Sequence, residues 1–138
     1  MPLTVCFQDD ALVVVDKPCG MLVHRSRIDA HETTFLLQTL RDQLNQSLFP
    51  VHRLDKAMSG LVIFALSSDV ARPLSQAFEH GDITKMYEAF VRGHTPQSLY
   101  IDHALRDEVD SKGRKIKNGN AREAMTELRT LTSWTAPE

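Results

Sequence analysis

An α+β domain, with a mixed and largely antiparallel sheet flanked by helices, is what this sequence predicts. Three observations carry the prediction. Short apolar, β-branched runs bounded by Pro, Gly and Asp recur along the chain. Only two stretches place apolar residues at helical spacing. Those two stretches do not alternate regularly with the strands, as a parallel α/β sheet would require.

The elements follow in chain order. Residues 12–15, Leu-Val-Val-Val, read as a buried strand that ends in the turn Asp16-Lys17-Pro18-Cys19-Gly20. Residues 21–23 resume extended structure before His24-Arg25-Ser26-Arg27. Thr33 or Thr34 is expected to cap a helix in which Leu36, Leu40 and Leu44 recur every four residues, with Phe35 and Leu37 widening the stripe. Residues 49–52 are short and extended, because Pro50 bars a helix from running through them. Residues 61–65 form the next apolar strand. Ser67 or Ser68 opens a second helix that runs to His80 and stops at Gly81. Pro73 lies beyond the first turn, where proline is tolerated, so a kink or a later start is expected. Residues 83–92 read as a long strand with Ile83, Lys85, Tyr87, Ala89 and Val91 on one face, and Gly93 ends it. The chain then reads as irregular until a last strand at 124–131, entered from a turn rich in Lys, Gly and Asn. It stops soon after, with no closing helix to cover a sheet edge, which is what a fragment of a larger domain would show.

Composition narrows the function classes. The 138 residues suit one domain with a core. Hydrophobic content of 42% and charged content of 25% are ordinary for a globular protein. Cys6 and Cys19 are too few and unpatterned for a disulfide framework, and the six His offer no His-x-x-x-His pair, so no metal is expected. No apolar run reaches the ~18 residues of a membrane span, and no signal segment opens the chain, so a cytoplasmic protein with no membrane partner is expected. A net charge of −2 does not advertise nucleic acid. The local exception is the basic run Lys112, Arg114, Lys115 and Lys117, which suits a solvated hairpin tip and a phosphate contact equally well.

The most informative stretch is His52-Arg53-Leu54-Asp55, followed by Ser59-Gly60-Leu61. On pattern alone, Asp55 reads as a loop Asp bonding the turn around Ser59 and Gly60. A carboxylate in such a loop becomes a nucleophile when nearby cations keep it charged, and Arg53 and Lys56 are close in sequence. As a string, the stretch resembles the active-site motif of the RluA-type RNA pseudouridine synthases. Other segments resemble the same family in order. They are Asp16-Lys17-Pro18-Cys19-Gly20-Met21-Leu22-Val23-His24, Lys85-Met86-Tyr87 with Val91-Arg92-Gly93, and more weakly Ala124-Met125-Thr126. Within the family, His24-Arg25-Ser26 after Leu22-Val23, the Leu-rich helix at 35–44 and the Ser67-Ser68 start of the next helix most resemble the tRNA pseudouridine-65 synthase branch, which has no separate N-terminal RNA-binding domain.

That resemblance implies an enzyme that isomerises a uridine, in tRNA, with Asp55 as nucleophile and no cofactor. Tyr87 would lie against the uracil and take part in proton removal; without the family it reads as a half-buried strand aromatic. Arg53 would fill the gap left by the extruded base, since unstacking costs about a few kcal/mol and a guanidinium can stack as well as pair. His52, Lys85, His24, Arg25 and the basic run at Lys112, Arg114 and Lys115 complete the expected RNA contacts, with His52 supporting the loop. Residues 1–138 would be the N-terminal portion of a catalytic domain, working as a monomer. The family's later Gly-Arg-x-His-Gln-Leu-Arg segment and the basic partner of its Asp are not found, and Arg122 and Arg129 do not match them. A rival from another class is a non-catalytic RNA-binding module with the same fold; an rRNA-specific synthase is the alternative within the family. A carboxylate hydrolase fares worse, because no second acid stands in a comparable loop.

Overall fold

The computed structural model describes residues 2–25, 31–106, 119 and 121–135, which fall into two compact units, residues 1–85 and 86–138. The first unit is built on a four-stranded antiparallel sheet of strands β1 (Thr4–Gln8), β2 (Leu12–Lys17), β3 (Phe49–Pro50) and β4 (Gly60–Ala65), in the order β1-β2-β4-β3. β2 and β4 pair without interruption from Leu12↔Ala65 to Lys17↔Gly60.

β1 has no counterpart among the elements expected from sequence. Its side chains are exposed or half-exposed on both faces, and its register slips between Val5 and Phe7, so the strand carries no two-residue alternation. Its hairpin to β2 is closed by Asp9, whose carboxylate accepts the Ala11 and Leu12 N–H groups at 2.8 Å each. Those two bonds hold the Asp9 carboxyl below its ordinary range.

Helix α1 (Leu36–Leu44) buries Leu36 and Leu40. With Leu3, Val13, Val15, Val23, Leu48, Leu54, Val62 and Phe64 they form the core. Burying each such side chain fully stabilises the fold by about 1.5–3 kcal/mol. Neither Thr33 nor Thr34 caps this helix. The N-cap is Phe35, extended and itself buried, and the first free N–H groups go to main chain. Leu36 donates to the Leu22 carbonyl at 2.8 Å and Leu37 to the Val23 carbonyl at 2.9 Å.

Helix α2 (Ser68–His80) begins and ends where its capping residues require. Ser67 accepts the Val70 N–H, and Gly81 takes the left-handed conformation (φ 78°) that a side chain would resist. Pro73 neither delays the start nor interrupts the assigned helix. It sits in the second turn and withholds only the bond to the Asp69 carbonyl. Half-buried Val70, Ala71, Leu74, Ala77 and Phe78 mark the packed side of α2.

The second unit holds β5 (Ser98–Asp102) paired with β8 (Met125–Arg129), and β6 (Leu105–Arg106) paired with β7 (Ala121–Arg122), both antiparallel. β8 lies inside the strand expected at 124–131. β5, β6 and β7 fall where an irregular chain was expected, since a strand exposed on both faces shows no alternation. The long strand expected over 83–92 does not form. Alternation permits a strand, but a strand needs a partner for its N–H and C=O groups, and no ladder among the described residues includes this stretch.

Candidate active site

The site grows out of the end of β2. Val13, Val15 and Lys17 alternate onto the buried face of the sheet, and all three are fully buried. The chain then turns through Pro18, Cys19 and Gly20. Gly20 has φ 84°, a conformation glycine adopts without strain. Its N–H reaches across to the Lys56 carbonyl at 2.8 Å. The Cys19 thiol donates to the Ala57 carbonyl at 3.1 Å. Two motifs nearly forty positions apart in sequence are thus laced together through main chain.

Between β3 and β4, residues 51–55 run without regular structure, and burial alternates from His52 to Asp55. His52 is half-buried and Leu54 is in the core, while Arg53 and Asp55 are exposed. In extended chain, residues two apart share a side, so two anchors point inward and two charged groups outward. The following turn is closed by main chain, Met58 N–H to the Asp55 carbonyl at 3.0 Å. Among the described residues the Asp55 carboxylate accepts no hydrogen bond, so it does not perform the turn-stabilising task around Ser59 and Gly60.

His52 holds this segment in a definite way. Its Nε2 accepts the Ile63 N–H of β4 at 2.9 Å, and its ring stacks on Phe78 of α2 with centroids 4.2 Å apart and planes at 15°. β3 ends at Pro50, so the imidazole takes the N–H that a longer β3 would have paired. An accepting Nε2 requires the neutral ring with its proton on Nδ1. Burial, and then the charge of Lys85, push the His52 pKa down, in agreement with that form.

Lys17 sits behind the loop. Its ammonium donates to the carbonyls of Met21 at 2.7 Å, Pro18 at 3.1 Å and Lys56 at 3.3 Å. Burial lowers its pKa, while the neighbouring Cys19 sulfur and the Asp55 carboxylate pull it back up. The Lys56 ammonium pairs with Glu32 at 2.5 Å and holds that carboxyl below its ordinary range.

The first unit therefore gathers Asp55 and Arg53 on one outward face, with His52 beneath and Lys85 near enough to act on its charge. His24 and Arg25 are exposed, and the Arg25 guanidinium lies 5.7 Å from the centre of the Phe35 ring. Tyr87 belongs to the second unit, where it is 59% exposed in chain without regular structure rather than half-buried in a strand. Lys112, Arg114 and Lys115 lie outside the described residues. From the sequence, Lys17 reads only as part of a turn and of the motif at 16–24, with no role of its own, and Phe78 has none; in the structure Lys17 ends β2. For Lys17 a signal existed: a lysine occupying the inward phase of an alternating Val13-x-Val15 strand. No group of His, Cys, Asp and Glu among the described residues is arranged to hold a metal ion, and no helix there is long and apolar enough to cross a membrane.

The geometry is that of an exposed carboxylate and an exposed guanidinium two residues apart on a loop anchored by His52 and Leu54. Comparison with known proteins gives the family. The RNA pseudouridylate synthase family model matches residues 11–136, so the chain belongs to that family. Among its relatives are proteins described as tRNA pseudouridine synthase C. That of Vibrio cholerae is 43% identical over 137 residues, covering 98% of this chain and 56% of the relative. That of Haemophilus ducreyi is 43% identical over 138 residues, covering 99% and 57%. The chain thus spans about half the length of these curated relatives. Of solved structures, human RNA pseudouridylate synthase domain containing 1 superposes with a TM-score of 0.70 at 26% identity, covering 94% of this chain and 52% of that one. Human RNA pseudouridylate synthase domain containing 4 shares the fold, with a TM-score of 0.64 at 23% identity and coverage of 94% and 54%.

Proposed function

We propose that this chain is the nucleophile-bearing portion of an RNA pseudouridine synthase acting on tRNA, with Asp55 as nucleophile and no cofactor. The observation that carries the reading is the alternation through residues 52–55, which anchors His52 and Leu54 and turns Arg53 and Asp55 outward together. Relatives described as tRNA pseudouridine synthases support tRNA as the substrate class.

The chemistry asked of the site is redox-neutral. The N1–C1′ bond of uridine breaks, a C5–C1′ bond forms, the C5 proton leaves to solvent and N1 regains a proton. Asp55 supplies the attacking oxygen lone pair, and the bond it forms breaks again as the product is made, which regenerates the carboxylate. Tyr87 lies against the uracil and assists the proton's departure. Arg53 occupies the stack vacated by the extruded nucleotide, as its exposure beside Asp55 allows. His24, Arg25 and Lys85 contact the RNA backbone together with Lys112, Arg114 and Lys115, and the enzyme works as a cytoplasmic monomer.

Because the C5 hydrogen is lost, tritium release from tRNA labelled at uridine C5 reads the reaction directly. The wild-type chain is expected to release tritium. Asp55→Asn is expected to be folded by circular dichroism and reduced on the order of 10³-fold or more. An Asp55→Asn variant as active as wild type would remove Asp55 from the mechanism. A wild-type chain that binds tRNA without release would instead favour a binding module of the same fold.

A further inference from the structure

We propose that Glu32 is a positioning residue acting through Lys56: by taking the Lys56 ammonium in an ion pair, it keeps that neighbouring cation off the Asp55 carboxylate and leaves the attacking oxygens open to substrate. The proposal rests on the reading of Asp55 as nucleophile.

Lys56 follows Asp55 directly, so no cation stands nearer the nucleophile in sequence. Adjacent residues of opposite charge do pair in this chain: the Arg41 guanidinium bonds the Asp42 carboxylate at 2.8 Å. The same contact between Lys56 and Asp55 would set an ammonium on the oxygens that have to attack. A charge-assisted hydrogen bond occupies a lone pair and favours the ionised carboxylate, so attack from that oxygen would first have to break it. The structure shows a different arrangement. The Lys56 Nζ lies 2.5 Å from Glu32 Oε1, an oxygen that is also 3.4 Å from His31 Nε2. Glu32 stands 24 positions before Lys56, on the chain that leads into α1. Its carboxyl is held below the ordinary range, chiefly by the Lys56 bond, and so stays charged at neutral pH. The Asp55 carboxylate, although next to a lysine, accepts no hydrogen bond among the described residues.

A strut tying two chain segments together would use the same pair, and the two roles differ in what removing Lys56 does. In Glu32→Ala, Lys56 loses this acceptor and turns to Asp55. There kcat for tritium release is expected to fall about fivefold, the weight that an exposed ion pair can carry, with KM for tRNA within about twofold. Adding Lys56→Met keeps the side-chain length and the main-chain carbonyl that takes Lys17 and Gly20. The double variant is expected to return kcat to within about twofold of wild type, whereas a strut is not restored by removing its other half. Unchanged kcat in Glu32→Ala, or a double variant as slow as Glu32→Ala, would overturn the proposal. NMR coupling across the hydrogen bond, from Lys56 Nζ to a carboxyl carbon, reads the partner directly. It is expected at Glu32 in wild type and at Asp55 in Glu32→Ala, and a Lys56 that stays off Asp55 in that variant would also overturn the proposal. Should Glu32→Ala not fold, Glu32→Gln, of the same shape without the charge, decides by the same comparisons. If Asp55→Asn proves fully active, the nucleophile reading fails, while the coupling still reports whether Glu32 diverts Lys56, so the two failures are distinguishable.

Discussion

His52 shows how one side chain ties a loop to a sheet and makes the tie depend on pH. Its Nε2 accepts the Ile63 N–H, and protonation would turn that nitrogen into a second donor facing a donor. The folded-state pKa lies below the ordinary 6.5, through burial and the charge of Lys85. The sign follows from linkage. Above pH 6.5 the ring is neutral folded or unfolded, and its contribution is fully present. As pH falls below that value the unfolded chain takes up the proton first, and the contribution drains away until the folded ring also protonates. Urea unfolding of wild type and His52→Gln at a series of pH values checks this. At pH 7 the variant is expected to be less stable by about 1 kcal/mol, the worth of stacking and of a reoriented hydrogen bond. That gap should narrow as the pH falls below the ordinary range of His. A gap independent of pH would detach His52 from the acid response.

At the scale of elements, the two helices make opposite cases for how a sequence announces a helix start. α2 is announced by a side chain: Ser67 accepts the Val70 N–H at 3.3 Å, and Ser67→Ala is expected to cost about 1 kcal/mol. α1 is started by a neighbouring strand-like segment, whose Leu22 and Val23 carbonyls take the N–H groups of Leu36 and Leu37. Thr33→Ala and Thr34→Ala are accordingly expected to change stability by less than about 0.5 kcal/mol. Thermal denaturation of the three variants separates the cases, and a loss in Thr34→Ala equal to that in Ser67→Ala would contradict the cap at Phe35. The same contrast explains what was legible in advance. β2, β4, α2 and the body of α1 bury one face and so write their period into the residue types. The cap of α1 is tertiary and writes nothing locally. The alternating residues 83–92 look like a strand, yet Met86, Tyr87, Phe90 and Val91 are all exposed and no ladder among the described residues includes them. The motif at 52–55 was legible as a string, and its physical content, two anchors and two outward charges, became clear only with the burial of each side chain. Lys17 was legible as part of a motif, but its burial was not, because a lysine is read as surface unless the strand phase is followed through to it.

Across the whole chain, burial is distributed unevenly between the two units. The first has a core in which Val13, Val15, Leu36, Leu40, Val62 and Phe64 are fully buried. In the second, no described residue other than Gly119 is buried, and Phe90, Met86 and Trp134 are 89%, 87% and 64% exposed. The Thr95 and Thr130 hydroxyls meet at 2.6 Å just beyond the β5–β8 ladder, but isolated two-stranded pairs are marginal in water. Apolar burial is what raises the free energy of local opening. The amides of Val13, Val15 and Val62 are therefore expected to exchange only through global unfolding. Those of Tyr100 and Leu128 should exchange through local opening at far lower free energy. Leu40→Ala supplies the matching perturbation, since removing a fully buried leucine costs about 2–5 kcal/mol. It should lower the opening free energy of β2 and β4 by that amount and leave β5 and β8 where they were. Native-state hydrogen exchange of wild type and Leu40→Ala reads both quantities in one experiment. Equal protection in the two ladders, or a loss in β5 and β8 that matches the loss in β2, would mean that the units share one cooperative transition. A loop that depends on His52 and Leu54 would then draw its rigidity from the whole chain. The expected outcome instead confines that dependence to the first unit, where Arg53 and Asp55 are presented.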